Sequence, residues 1–336
     1  MQHHDHTRRF WLKSATAAAL TAGGIAAPVQ ALAQARPANW PRRPLRILVG
    51  FPAGTSPDLI ARALAEPLGK ELGQTVVVEN KTGASGSLAA GDLAKTRDDH
   101  TIGVVGNAAL TSNPILYPKL PYELTEFNTL TVVGTSPWLI VGAASLNFST
   151  PADFFKLARE AGNKWSYGSV GIGSGTHLGN EMLKDLAGFE AVHVPFNGAP
   201  AVISAMKGGD IHMASLPMGF ALAQAQAGTI KAVAVTSAAR TPLAPNVPAL
   251  SEAGVPAMDL EIWNAMVVPA SMPRDIADAI SAALTRIIRS DDVKQKLFQQ
   301  GWVADGGSPE QAQRRIRSDT AHYQQVITKR KITVAG

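Results

Sequence analysis

Two turns rich in glycine and serine carry the groups best suited to chemistry in this 336-residue chain. The first is Phe51-Pro52-Ala53-Gly54-Thr55-Ser56-Pro57-Asp58; the second is Gly168-Ser169-Val170-Gly171-Ile172-Gly173-Ser174-Gly175-Thr176-His177. Each lies between a short apolar run and a stretch of helical spacing. Each would therefore present backbone amides and a hydroxyl at the positive end of a helix, where a carboxylate can bind without any arginine. The ligand-binding candidates are Phe51, Ala53, Gly54, Thr55 and Ser56 in the first turn and Ser169, Ser174, Gly175 and Thr176 in the second. Asp58 reads first as a helix cap and second as a ligand-sensing group. His177 reads first as a hydrogen-bond partner that holds the turn and second as a site residue. Taken singly, either turn also reads as an ordinary capped connection; a site is favoured because one occurs in each half of the chain.

Other chemistries find no footing. Gly171, Gly173 and Gly175 follow G-x-G-x-G, not the dinucleotide spacing G-x-G-x-x-G, and Glu190 precedes the next strand instead of closing it. No G-x-S-x-G nucleophile elbow occurs. His100, His177, His193, His212 and His322 are scattered without metal-binding spacing, and the chain has no cysteine, which excludes disulfides, a thiol nucleophile, thiolate zinc sites and iron-sulfur clusters. The sequence therefore assigns no catalytic residue, no metal and no cofactor. A formal charge of +5 does not argue for nucleic acid.

The elements that must position the turns alternate. Arg46 to Phe51 reads as a strand leading through the first turn into a helix whose apolar positions are Leu59, Ile60, Ala63, Leu64, Leu68 and Leu72. There Ser56 reads as the cap, Pro57 as the first helical residue and Asp58 as a favourable charge at the positive end of the dipole. Strands follow at Thr75 to Glu79 and Thr101 to Val105. The pattern restarts with a helix from Pro151, strands at Trp165 to Ser169, Val192 to Pro195, Ile211 to Ala214 and Ile230 to Val235, and a helix from Thr176 behind the second turn. The extended segments Leu130 to Val141 and Glu261 to Val268 read as strands crossing between two lobes. Residues 273–298 and 309–330 read as amphipathic helices completing the first lobe. The expected class is α/β, with mainly parallel sheets covered on both faces.

The first residues read as an export signal. Thr7-Arg8-Arg9-Phe10-Trp11-Leu12-Lys13 precedes an alanine-rich run from Ala15 to Ala27, and Ala31-Leu32-Ala33 and Ala33-Gln34-Ala35 fit small-residue cleavage sites. The paired arginines match the twin-arginine type. The expected domains are a signal peptide over 1–35, a first lobe of 36–137 plus 262–336, and a second lobe of 138–261.

Beyond these features, the chain resembles the substrate-binding proteins of tripartite tricarboxylate transporters, also called the Bordetella uptake gene (Bug) family. The resemblance rests on Trp40-Pro41-Arg42-Arg43-Pro44 before Phe51-Pro52-Ala53-Gly54, on Val76-Val77-Val78-Glu79-Asn80, and on Asn113-Pro114-Ile115-Leu116-Tyr117. Tyr167-Gly168-Ser169, His193-Val194-Pro195-Phe196, Ala234-Val235-Thr236-Ser237 and Val247 to Gly254 follow in order. It implies a periplasmic-binding-protein fold of the type II kind, with two doubly wound lobes joined by crossing strands around a cleft. It also implies a small carboxylate ligand and delivery to a membrane transporter of one large and one small subunit, the binding protein itself acting as a monomer in the periplasm. By position it adds Phe196 and Asn197 to the binding candidates. Two departures from the family pattern stand out: Thr55 replaces a second glycine common in relatives, and Ala214-Ser215 precedes Leu216-Pro217 with Met213, Met218 and Phe220 nearby. These make Ser215 a further candidate and suggest a ligand with an aromatic or longer aliphatic body. A sensor input domain and an exported small-molecule enzyme are the alternative readings.

Overall fold

The computed structural model describes residues 39–83, 86–258 and 260–334. The export signal and its cleavage sites lie outside the described residues. The chain runs through β1 (Leu45–Val49), α1 (Ser56–Leu72), β2 (Val76–Asn80), α2 (Ser87–Lys95), β3 (Thr101–Gly106), the single turns α3 (Asn107–Leu110) and α4 (Asn113–Leu116), and β4 (Phe127–Ser136). It continues with β5 (Trp138–Ala143), α5 (Pro151–Ala161), β6 (Ser166–Ser169), α6 (Gly175–Ala187), β7 (Val192–Pro195), α7 (Ala199–Gly208), β8 (Met213–Pro217), α8 (Met218–Gln226) and β9 (Ile230–Val235). The last elements are β10 (Ile262–Pro269), α9 (Arg274–Arg289), α10 (Asp291–Gln299), β11 (Val303–Ala304) and α11 (Pro309–Arg330).

These strands form two sheets, ordered β11-β4-β10-β3-β1-β2 and β7-β6-β8-β5-β9. Both are mixed, not mainly parallel. In the first, β1 pairs in parallel with β2 and β3, while β10 lies antiparallel between β3 and β4. In the second, β6 pairs in parallel with β7 and β8, and β5 lies antiparallel between β8 and β9. Read outward from β2 and from β7, the two orders match over five strands, and β11 is an addition at the far edge of the first. In each sheet the strand at the fourth of these matching places is reversed, and it is the one the chain enters immediately after leaving the other sheet.

The crossings therefore differ from the sequence expectation. Leu130 to Val141 is not one strand: it divides at Pro137 into β4 in one sheet and β5 in the other. Proline has no amide to continue a ladder. Glu261 to Val268 does not cross either, because β10 pairs along its length with β4 inside the first sheet, and the return passes through the irregular segment between β9 and β10. The helical stretch expected over 273–298 is two helices, α9 ending before Ser290 and α10 beginning at Asp291.

Each sheet is covered on both faces, and period-two alternation sorts its side chains. Along β10, Met266 and Val268 join Ile60, Leu64 and Leu68 of α1 and Ile280 and Leu284 of α9, whereas Ala265 and Val267 join Leu93 of α2 and Ile316 of α11. The second sheet packs Leu139, Val141 and Leu216 against α7 and α8, and Ile140, Tyr167 and Met213 against α5 and α6. The amphipathic helices owe their stability to this burial more than to intrinsic propensity. Among the described residues no helix is long and apolar enough to cross a membrane.

Candidate functional site

In both sheets the carboxyl ends of three parallel neighbours feed helices. Strands β1, β2 and β3 lead to α1, α2 and α3; β6, β7 and β8 lead to α6, α7 and α8. Ligands of open α/β sheets bind beyond such ends. The two sequence-selected turns are the first connection of each set.

The first turn is a clamp built on Asp58. Its side chain is 1% exposed. Oδ2 accepts from the Gly54 amide at 2.8 Å and from Arg62 Nε at 2.9 Å, and Oδ1 accepts from Asn80 Nδ2 at 2.9 Å. Burial alone would raise the Asp58 pKa; the bonds from Arg62, Gly54 and Asn80 outweigh it and hold the carboxyl below its ordinary range. Asn80 Nδ2 also donates to Phe51 O, which ties β2 to the turn. Ser56 is not the cap. The cap position is Thr55, extended at φ −80° and ψ 162°, and its hydroxyl donates to Pro52 O at 2.6 Å instead of capping the helix. Asp58, in the first turn, takes over that role by reaching back to Gly54, and Thr55 sits where no positive φ is required. Phe51 is half-buried, Ala53 and Gly54 are exposed, and Thr55 and Ser56 are half-buried.

The second turn is closed by neutral groups. Ser174 caps α6, its Oγ accepting from the His177 amide at 3.3 Å and donating to Gly171 O at 2.6 Å. Thr176 Oγ1 accepts from the Val170 amide, Ser169 Oγ from the Gly171 amide, and His177 Nδ1 from the Gly173 amide at 3.0 Å. His177 thus holds the turn. Ser169, Ser174, Gly175 and Thr176 are all buried. Beneath them the His177 and His193 rings stack at 3.8 Å, and Ser169 Oγ lies 2.6 Å from His193 Nε2. Burial pushes both imidazoles down to about 4; Lys184 adds to this for His177, and the facing His177 ring adds to it for His193. No acidic residue stands in the first turn of α6.

The remaining candidates divide. Phe196 is half-buried in the second sheet's core, and its amide donates to Ser169 O. Asn197 is exposed just ahead of α7. Ser215 is fully buried and donates to Asn180 Oδ1, while Asn180 Nδ2 donates to Thr176 O, so a polar chain ties β8 to α6. Met213 and Met218 do not face a ligand: both are fully buried in the cores beside the second sheet, and Phe220 packs against the same core as Met218. Their apolar character fills the interior and carries no statement about the ligand.

Residues not singled out as binding candidates connect the two turns. A Cβ on Gly50 would lie 2.5 Å from Gly86 Cα, and Phe51 packs on Gly86. Next to Gly86, Ser87 Oγ accepts from Asn113 Nδ2, and neighbouring Ser112 Oγ donates to Gly173 O at 3.2 Å. Asn107 Nδ2 donates to the Tyr323 hydroxyl at 3.1 Å. A run of contacts thus leads from the first turn through Gly86, Ser87 and Ser112 to the second. A polar Asn107 directly after the apolar run 101–106 is the signal that could have marked this region in the sequence. Among the described residues no three His, Cys, Asp or Glu side chains gather to hold a metal ion.

Comparison with known proteins agrees with this architecture. Residues 60–332 match the model for the tripartite tricarboxylate transporter family receptor. A UPF0065 protein from the tcbD-tcbE intergenic region of Pseudomonas sp. strain P51 is 30% identical over 296 residues, covering 87% of this chain and 88% of the relative. The structure of R. palustris Rpa4515 with adipate superposes with a TM-score of 0.81 at 29% identity, covering 88% of this chain and 99% of that one. The periplasmic binding protein BugD superposes at 0.78 with 26% identity over 88% and 99% of the two chains. Two mixed α/β sheets in a periplasmic-binding-protein fold, and a family match over most of the length, make this chain a member of the tripartite tricarboxylate transporter receptor family, whose members are solute-binding receptors and not enzymes.

Proposed function

We propose that this receptor captures a small carboxylate between its two sheets and delivers it to the large and small membrane subunits of a tripartite tricarboxylate transporter. The observation that carries the reading is the start of α6. It is a buried helix N-terminus with no acid in its first turn, pressed against the first sheet's elements through Ser112 and Gly173. The turns at Ser56 and Ser174 hold opposite ends of the ligand, so that binding brings together a first lobe of 36–137 plus 262–336 and a second of 138–261. Sheet membership supports those boundaries, since strands up to Ser136 and from Ile262 lie in one sheet and those between in the other. The chain reaches the periplasm through the twin-arginine leader in residues 1–35.

The ligand is a dicarboxylate with an aliphatic body. Support comes from Rpa4515, solved with adipate, and no longer from Met213 and Met218. A thermal-shift screen over mono-, di- and tricarboxylates tests the reading, because a ligand at 100 times its dissociation constant adds about 2.7 kcal/mol of stability. Adipate or a dicarboxylate of similar length should give the largest rise in Tm. A screen in which no carboxylate raises Tm overturns the function.

A further inference from the structure

Where α6 meets β5 and α11, the structure gathers donors without matching acceptors. Trp138 opens β5 opposite Pro217, the last residue of β8, and so stands on the carboxyl edge of the second sheet. Its backbone is fixed there by Thr236: its amide donates to Thr236 Oγ1 at 3.0 Å and its carbonyl accepts from the Thr236 amide at 3.1 Å. The side chain is 3% exposed, yet indole Nε1 has no hydrogen-bond partner among the described residues. Buried donors are rarely left so.

The benzo edge adjoining that nitrogen rests on the first residue of α6. A Cβ on Gly175 would lie 2.9 Å from Trp138 Cζ2, 3.4 Å from Cη2 and 3.7 Å from the Tyr323 hydroxyl. Glycine at 175 is what lets the ring approach the helix end. Tyr323 is 1% exposed, and its oxygen already accepts from Asn107 Nδ2, which leaves the hydroxyl proton to donate elsewhere. At α6 itself the Ser174 side chain serves the His177 amide, and the Gly175 and Thr176 amides belong to the helix's unsatisfied first turn. The indole ring, the phenol oxygen and two amides thus lie together at the positive end of a 13-residue helix.

We infer that Trp138 is a ligand-binding residue: its indole N–H, with the Tyr323 hydroxyl and the Gly175 and Thr176 amides, receives one carboxylate group of the bound acid. A carboxylate suits this place because it is acceptor-only and offers lone pairs enough for several donors at once. Trp138 and Gly175 belong to the second sheet's elements, whereas Tyr323 and Asn107 come from α11 and the start of α3, beside the first. One carboxylate bridging these donors would therefore hold the two halves together. The inference rests on the proposed carboxylate function and specifies its recognition.

The test is a titration of the ¹⁵N-labelled protein with adipate, or with the carboxylate of largest thermal shift if adipate gives none, following the tryptophan indole resonances. The Trp138 resonance is assigned by its loss in Trp138→Phe. It should move downfield and saturate with the affinity measured by calorimetry, and Trp138→Phe, with unchanged circular dichroism, should bind at least about tenfold more weakly. Should Trp138→Phe fail to fold, single replacements of Trp11, Trp40, Trp165, Trp263 and Trp302 assign the resonance by elimination. A saturated wild-type protein with the Trp138 indole unmoved, or Trp138→Phe binding as wild type does, overturns the inference while leaving the carboxylate function standing. Binding of no carboxylate at all sinks that function and the inference with it.

Discussion

The turns that open α1 and α6 occupy matching places in two sheets of the same strand order, yet they satisfy their helix ends in opposite ways. At α1 the chain supplies its own carboxylate: Asp58 takes the Gly54 amide and is itself neutralised by Arg62. At α6 only neutral groups close the turn, and the first turn holds no acid. The positive end of α1 is met by a carboxylate already in position, whereas the first turn of α6 carries none. Equivalent topology thus yields one helix end met by the chain's own carboxylate and one closed by neutral groups alone.

The sharpest way to break this contrast is Ser174→Leu. Removing the cap and filling its space should abolish measurable carboxylate binding in calorimetry, and should cost about 1–2 kcal/mol in urea unfolding. Retained affinity would place recognition elsewhere. Asp58→Asn should do the reverse. Losing the charge that binds Gly54, Arg62 and Asn80 should lower stability by about 1–3 kcal/mol while leaving affinity within about threefold, as unfolding curves and calorimetry together would show.

The contrast also predicts two acid windows. The imidazoles of His177 and His193 are pushed from about 6.5 in the unfolded chain to about 4 in the fold. The unfolded state therefore binds protons first, so their contribution to stability is complete above pH 6.5 and is lost as pH falls from there towards 4. Asp58, lowered from its ordinary 3.8, contributes fully above that value and loses its share only below it. Tm should fall by several degrees between pH 6.5 and 4.5, and His177→Asn should flatten that part of the profile where Asp58→Asn does not. The smallest effect belongs to Thr55→Gly. Its side chain caps nothing, its φ is ordinary and it gives up only an exposed hydrogen bond to Pro52 O, so the change should cost about 1 kcal/mol or less and leave affinity unaltered.

Local periodicity made the strand and helix alternation and both turns legible in the sequence, and most elements it marked begin within two residues of their expected place, while α3, α4, α8 and β11 carried no signal it used. What it could not carry was long-range pairing. The run from Leu130 to Val141 has no internal sign that its halves belong to different sheets except Pro137, and β10 looks like any β-prone segment until its partners on both sides are known. Ser56-Pro57-Asp58 carries a cap signature, but the aspartate three residues after the true cap position reaches back and displaces the serine's role. Met213 and Met218 read as ligand-facing because they flank the Ala214-Ser215 departure from the family pattern; with helices on both faces of the second sheet, those positions are interior. Trp138 was hidden for the same reason in reverse. Within an apolar strand it reads as core, and only its unpaired nitrogen beside α6 separates it from the rest.

The most direct measurement is a crystal structure of the protein with the carboxylate that gives the largest thermal shift. The account predicts a carboxylate group within hydrogen-bond distance of the Gly175 and Thr176 amides at the start of α6. A ligand whose carboxylates meet only the Asp58 turn, with the α6 end unengaged, would contradict it.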